Sequence, residues 1–378
     1  MDLSAHAIDG LAPSRVERPT SAEDVSAVIA GAHRDRTAVV VWGGGTRIGV
    51  GDAPSRYDTA MDLRGVRGVV DHSPADLVCI VRAGTTLADL ARELAPAGQR
   101  WPVDVPDPEH ATVGGTIASA ATGPSRLRHL HVRDWIIGCE AVLGDGTRAR
   151  AGGRVVKNVT GYDLTRLYSG SFGTLAVLVE VNLKLVAIDE RTCVLSLHDT
   201  DTASVGRLAA EMRAALPLDA LVLATGAAAG GGARLTVRLS GAAAAVERLT
   251  REVRDRAAFD EIDDPAWQEL VALPVRAERV ARAALPPGHE ADALEGNAVA
   301  HIGTGSTFIL GERTNAQLQA LRAKCESASG ALILERTSAE QRKAVGTWGA
   351  TRIPAAIARG LKDRFDPHGV LAPGRMPL

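Results

Sequence analysis

Aromatic residues make up only 3% of this 378-residue chain, and no basic stretch is interleaved with them. That scarcity removes the stacking platform that single-stranded nucleic-acid binding requires. Neither sign of charge dominates, with 43 Lys and Arg against 45 Asp and Glu and a net charge of −2. Such a balance offers no overall attraction to nucleic acid. No apolar run reaches the roughly eighteen residues that a membrane-spanning helix needs. The opening Met1-Asp2-Leu3-Ser4 has no basic n-region or apolar h-region, so a cytoplasmic protein without a membrane segment of its own is expected. Cysteine is scarce too. Cys79, Cys139, Cys193 and Cys325 stand far apart and never form C-x-x-C, which argues against an iron–sulfur cluster or zinc site within the chain. Buried, reduced thiols are the expected state, and no metal site is assigned.

What remains is an ordinary globular composition, 46% hydrophobic and 23% charged, long enough for two or three domains. Its most informative stretch is Ala38-Val39-Val40-Val41-Trp42 followed by Gly43-Gly44-Gly45-Thr46-Arg47-Ile48-Gly49. A β-branched run that breaks into glycines lets the main chain approach a ligand, and consecutive N–H groups can form an anion nest. The spacing fits neither common nucleotide motif. Ile48 occupies the place of the third glycine of a G-x-G-x-x-G fingerprint, and no Gly-Lys-Ser/Thr triplet occurs for a Walker loop. By itself the cluster reads equally as a tight structural turn or as a phosphate cradle.

Further along, Ser21 caps a helix carrying Val25, Val28, Ile29 and Ala32, and Thr86 caps another carrying Leu87, Leu90 and Leu94. Short strands are expected at Tyr57–Leu63, Gly68–Asp71 and Leu77–Val81. After the prolines Pro102, Pro106 and Pro108, the run Ala111-Thr112-Val113-Gly114-Gly115-Thr116-Ile117-Ala118-Ser119-Ala120-Ala121-Thr122-Gly123 holds almost only small side chains. A flat ligand could lie on it, or it could be a closely packed helix. A hairpin is expected from Ile136–Leu143 through Gly144-Asp145-Gly146 into Thr147–Ala151. Then Val156-Lys157-Asn158-Val159-Thr160-Gly161-Tyr162-Asp163 precedes a third small-residue loop, Gly170-Ser171-Phe172-Gly173-Thr174, which runs into the β-rich Leu175–Val181. From about Cys193 the texture changes to alternating strands and helices, an α+β sandwich with one helical layer on an antiparallel sheet, in which Ala227–Ala233 is a hairpin tip. The tail Phe365-Asp366-Pro367 through Pro373-Gly374-Arg375 is shaped like a segment that docks.

Together these stretches resemble the FAD-linked oxidases of the vanillyl-alcohol-oxidase, or PCMH-type, superfamily, and within it the FAD-binding subunits of bacterial glycolate oxidase, the GlcE type. The resemblance implies an α+β fold: a PCMH-type FAD-binding domain of two α/β subdomains over residues 1–190, an α+β cap over 191–335, and a C-terminal segment, 336–378, returning to the FAD domain. It implies that Gly43, Gly44, Gly45, Thr46 and Arg47 hold the FAD diphosphate. It further implies that Thr112, Gly114, Gly115, Thr116, Ser119 and Gly123 line the flavin or diphosphate, and that the main chain from Gly173 to Val177 touches the cofactor. Covalent flavin in this superfamily often uses a histidine of the first glycine loop; none lies here, so non-covalent FAD is expected. The chain also departs from related stand-alone 2-hydroxy-acid dehydrogenases. It has Phe172 where they have glutamate, keeps only His301 of their cap histidines, has Leu334-Glu335-Arg336-Thr337 in place of a later histidine motif, and carries Ala372 where asparagine is frequent. The expected function is oxidation of glycolate to glyoxylate beside a second FAD-oxidase subunit and an iron–sulfur subunit, with any membrane association coming through those partners. A stand-alone dehydrogenase for another 2-hydroxy acid, and a non-catalytic assembly subunit, are the alternatives. No catalytic residue is assigned beyond His301 as a candidate base, a residue that beside a strand is more often structural.

Overall fold

The computed structural model describes residues 3–153, 162–350 and 353–377. The chain divides into two compact units. Residues 1–121, 131–188 and 351–378 form the first, and residues 122–130 and 189–350 the second. The segment 122–130 therefore groups with the later residues, as do residues 336–350, while the tail groups with the first unit.

Among the described residues the first unit holds two larger sheets and a two-stranded ribbon of Gln99–Arg100 with Val186–Ala187. A parallel sheet of Arg15–Glu17, Thr59–Asp62 and Val39–Trp42, in that spatial order, pairs Val39 with Thr59 and Trp42 with Asp62. Against it packs the helix Ala22–Asp35, whose Ser21 and Asp24 form a capping box and whose Val25, Ile29 and Ala32 are buried. The second sheet is antiparallel, in the order Val69–Ser73, Val78–Arg82, Ala176–Lys184, Ile136–Leu143 and Arg148–Gly152. The expected hairpin turns at Gly146, which takes φ +89° and abuts Ala30. One face of this sheet carries Cys139, Ala141, Val181 and Leu183 onto the helix Leu87–Leu94, and the other carries Val142, Val177 and Val179 toward Ile29. Strand alternation, with the register shift between Glu140 and Ala141 that turns Val177 and Val179 to the face opposite Val181 and Leu183, lets one sheet serve two cores.

The tail is tied into this unit. Val39 donates to Val370 O and accepts from Ala372 N, both at 2.8 Å. Val370, Leu371 and Ala372 are buried.

The second unit is built on an eight-stranded antiparallel sheet. Helices Thr202–Ala215 and Ala243–Arg254 cover Leu195, Leu221, Leu223 and Val237 on one face, and Asn315–Ser327 covers Ala281, Ala283 and Ile309 on the same face. The single helical layer expected from sequence is incomplete. Helix Asp264–Arg276 lies on the opposite face, with Trp267, Leu270 and Val271 against Val194, Val222, Val299 and Phe308. Residues 226–229 turn the hairpin between Ala220–Thr225 and Ala233–Gly241, as expected.

Candidate functional site

The first two small-residue loops meet at the end of the strand Val39–Trp42, and the third is hydrogen-bonded to the second. A Cβ on Gly43 would fall 2.3 Å from Thr112 Oγ1, and one on Gly44 would fall 1.7 Å from the carbonyl oxygen of His110. Neither glycine uses a left-handed backbone; Gly45 does, at φ +76°. Gly43 and Gly44 are thus required by the second loop lying against the first. Freedom of φ is needed at one position only.

The second stretch resolves both readings of its small residues. Thr112 Oγ1 accepts from Gly115 N at 3.2 Å and starts the short helix Val113–Ala118. Gly114 closes on Ala83, where a Cβ would come within 2.7 Å. The half-buried side of the same helix, Gly115 and Ala118, lines a cleft with the C-cap residue Ser119. The third loop docks beside it, with Phe172 N donating to Ala118 O at 2.8 Å and Gly170 N to Ile117 O at 3.1 Å. Gly170, Phe172 and Gly173 all take positive φ, at +82°, +52° and +70°. For phenylalanine that is a sparsely populated conformation.

These loops border two adjoining clefts within the first unit. One, about 540 Å³ and open to solvent, is lined by Gly43–Arg47, Thr112, Gly115 and Ser119 together with Phe172 and Arg375. The other, about 430 Å³, is lined by Gly43, Thr112, Gly114, Gly115, Gly173 and Val177, with Val41, Ala118, Leu178 and Phe172 among its apolar walls. Of the expected cofactor residues, Gly43, Gly44, Gly45, Thr46, Arg47, Thr112, Gly114, Gly115, Ser119, Gly173 and Val177 are therefore brought to these clefts. Thr116 is buried within the short helix, and Gly123 belongs to the second unit. Residues 154–161, which carry most of the Val156–Asp163 motif, lie outside the described residues. Asp163 itself caps the helix Leu164–Tyr168. Phe172 and Arg375 were not anticipated as lining. The only signals were the unusual Phe in a glycine loop and the proline-framed tail.

A glycine-edged cleft bearing Arg47 and Arg375 beside a slot walled by Val41, Ala118, Val177 and Leu178 offers a dinucleotide cations for a diphosphate and an apolar wall for a flat ring system. Behind the glycine loop, Trp42 Nε1 donates to Tyr57 Oη at 2.7 Å and Tyr57 donates to His6 O at 2.8 Å. Burial pushes the Tyr57 phenol up to about 12, so it stays a neutral donor.

A family model described as an FAD-binding domain matches residues 13–152. Glycolate oxidase subunit GlcE of Escherichia coli is 29% identical over 353 residues, 90% of this chain and 93% of that protein. Glycolate oxidase subunit GlcD of Bacillus subtilis is 30% identical over 193 residues, 51% of this chain but only 41% of its own length. The solved structure of p-cresol methylhydroxylase superposes with a TM-score of 0.68 at 15% identity, covering 96% of this chain and 88% of that one, a likeness of fold. Residues 13–152 thus match an FAD-binding domain, and over most of its length the chain is similar to GlcE. FAD is the cofactor of this flavoprotein. Its family-matched segment contains the first and second loops whole, while the third loop and Arg375 lie beyond it.

His301, the candidate base, stands in the second unit on the strand Ala298–His301, opposite Val222 and Ser306. It is 4% exposed, its ring lies 5.1 Å from that of Phe308, and its Nε2 has no hydrogen-bond partner. Burial depresses its pKa to about 3, which makes it a poor proton acceptor at neutral pH. The same unit holds a buried carboxylate, Asp219, with Arg128, His129 and Arg238 each 3.5 Å away. Burial raises that carboxyl's pKa, but the adjacent His129 and the charges of Arg238 and Arg128 outweigh it and leave the pKa lowered. Among the described residues, no group of His, Cys, Asp and Glu could hold a metal ion, and no helix is long and apolar enough to cross a membrane.

Proposed function

We propose that this chain is the FAD-binding subunit of a glycolate-oxidase-type complex that converts a small 2-hydroxy acid, glycolate in the first instance, to the 2-oxo acid. The observation that carries the reading is collinearity with GlcE across 90% of this chain and 93% of that protein, whereas the likeness to GlcD covers about half of this chain. A GlcD-like FAD-oxidase subunit and an iron–sulfur subunit are the proposed partners, because two cofactor clefts and four scattered, buried cysteines give this chain no cluster of its own to carry electrons away.

FAD, when bound, supplies the acceptor for the hydride that leaves the α-carbon of the acid. The chain's own contribution at the cofactor is binding and exclusion of water. Arg47 and Arg375 supply positive charge beside the glycine loop, and Val41, Ala118, Phe172, Val177 and Leu178 give the adjoining slot apolar walls. The absence of a histidine in Gly43–Gly49 supports non-covalent attachment.

The test is the visible spectrum of the purified chain before and after anaerobic glycolate, with and without the two partner subunits, followed by acid precipitation. The expected result is a yellow protein whose FAD is released by acid, stays oxidised with glycolate alone, and bleaches once the partners are present. Dye reduction by the chain alone at the rate of the full complex would instead identify a stand-alone dehydrogenase. A colourless protein that takes up no FAD would leave an assembly subunit.

A further inference from the structure

Arg375 reaches the first cleft from the end of the chain. It is 2% exposed, yet it lines the cleft beside Gly43–Arg47. Its Nη2 donates to Ile48 O at 2.7 Å and to Val50 O at 2.5 Å, so its planar head is fixed by the carbonyls of the glycine loop itself. The tail's backbone is shaped to bring it there. Ala372 and Gly374 take φ of +41° and +84°, Pro373 O accepts from Ser55 N at 2.8 Å, and a Cβ at Gly374 would come 3.0 Å from Ser55 N.

Upstream, Lys362 is buried and has an acceptor for each ammonium proton. It donates to Thr174 O at 2.7 Å, Leu371 O at 2.8 Å and Asp366 Oδ2 at 2.6 Å. Asp366 in turn accepts from Val370 N and Leu371 N. One segment therefore holds the third loop at Thr174, the strand before the first loop at Val39, and the first loop at Ile48 and Val50. A dianion entering a partly buried cleft needs compensating charge at close range. Arg47 supplies one cation from the loop, and Arg375 supplies another from the tail.

We infer that Arg375 is a binding residue for the diphosphate of the dinucleotide, and that residues 362–375 are a strap that assembles the cradle around it. This rests on the FAD reading above. A role in binding differs measurably from a merely structural one, because charge attraction between cofactor and protein is weakened by salt while packing is not.

Apoprotein of the wild type, Arg375→Lys and Arg375→Gln is titrated with FAD by flavin fluorescence at low and high salt, and the melting temperature of each apoprotein is recorded. Arg375→Gln is expected to weaken FAD binding at least tenfold and to flatten its salt dependence. Arg375→Lys keeps the charge without the planar head; it should retain the wild-type salt dependence and an affinity between the other two. FAD affinity in Arg375→Gln within twofold of wild type would overturn the assignment. So would weaker affinity with an unchanged salt dependence, which would make the residue a strut only. Should Arg375→Gln fail to fold, loss of salt dependence or of most of the affinity in Arg375→Lys would overturn it equally. Wild-type apoprotein that bound no FAD at all would overturn the cofactor reading itself, a failure distinct from these.

Discussion

The two units handle polar chemistry in opposite ways. In the first, the two adjoining clefts are edged by a run of glycines, and close contacts such as Gly44 to His110 O leave no room for a Cβ there. In the second, the notable polar groups are large and buried inside a sheet: His301 under Phe308, and Asp219 among Arg128, His129 and Arg238. Main-chain cradles tolerate almost no side-chain volume, while a buried charge tolerates almost no loss of a partner. The difference is one of which perturbation each unit resists least.

The largest effect is expected where the first unit does contain a buried ion pair. Lys362→Met strands Asp366, which is 1% exposed, with two backbone donors and no cation. A loss of about 3–5 kcal/mol is expected by urea unfolding. Burial pushes the Lys362 ammonium's pKa down while Asp366 opposes that shift, so the charged pair depends on this one contact. A loss under about 1 kcal/mol would mean that the tail is not held by it.

Next comes the same substitution placed in each unit. Gly44→Ala puts a Cβ against His110 O and should cost about 1–3 kcal/mol by overpacking and release bound FAD. Gly230→Ala, at the hairpin tip of the second unit, meets nothing within 4 Å and carries only the cost of φ +79°, about 1 kcal/mol, with FAD retained. Equal FAD loss in the two variants would erase the contrast between a cradle glycine and a turn glycine.

The pH response of the second unit is the most gradual change, spread over several pH units. Unfolded His301 takes up a proton near its ordinary 6.5, and the folded residue resists protonation until about 3. Between those values the unfolded chain binds more protons, so stability rises with pH by up to about 1.4 kcal/mol per unit and falls away on acidification. His301→Gln should remove that slope in denaturant titrations between pH 4 and 6. An unchanged slope would assign the acid sensitivity to other groups. Asp219 acts below that window, since its lowered pKa keeps its stabilisation whole above 3.8 and lets it go as the pH falls from there toward the folded value.

Much of the fold was legible because local chemistry and tertiary placement agree. Ser21 and Thr86 cap the helices they announce, the β-branched Val39–Val41 forms a buried strand, and Gly146 turns the hairpin between alternating strands. The helix Asp264–Arg276 and the strand Val280–Ala284 were not read. Pro274 sits inside that helix and alanine fills that strand, so propensity gives no warning of either. The opposite-face position of the helix depends on Trp267 finding Val222 and Val299, contacts far apart along the chain.

By itself, the sequence determined where small residues had to be. A Cβ is excluded at Gly43 and Gly115 by Thr112, at Gly44 by His110 O and at Gly114 by Ala83, while Gly45 and Gly173 take positive φ, and each constraint is written locally as glycine. It could not determine which large residues would join them. Arg375 meets Ile48 across 327 positions, and Lys362 meets Thr174 across 188. Long, flexible cationic side chains acquire a role only when packing removes them from water and supplies their acceptors, and only the tertiary structure decides that.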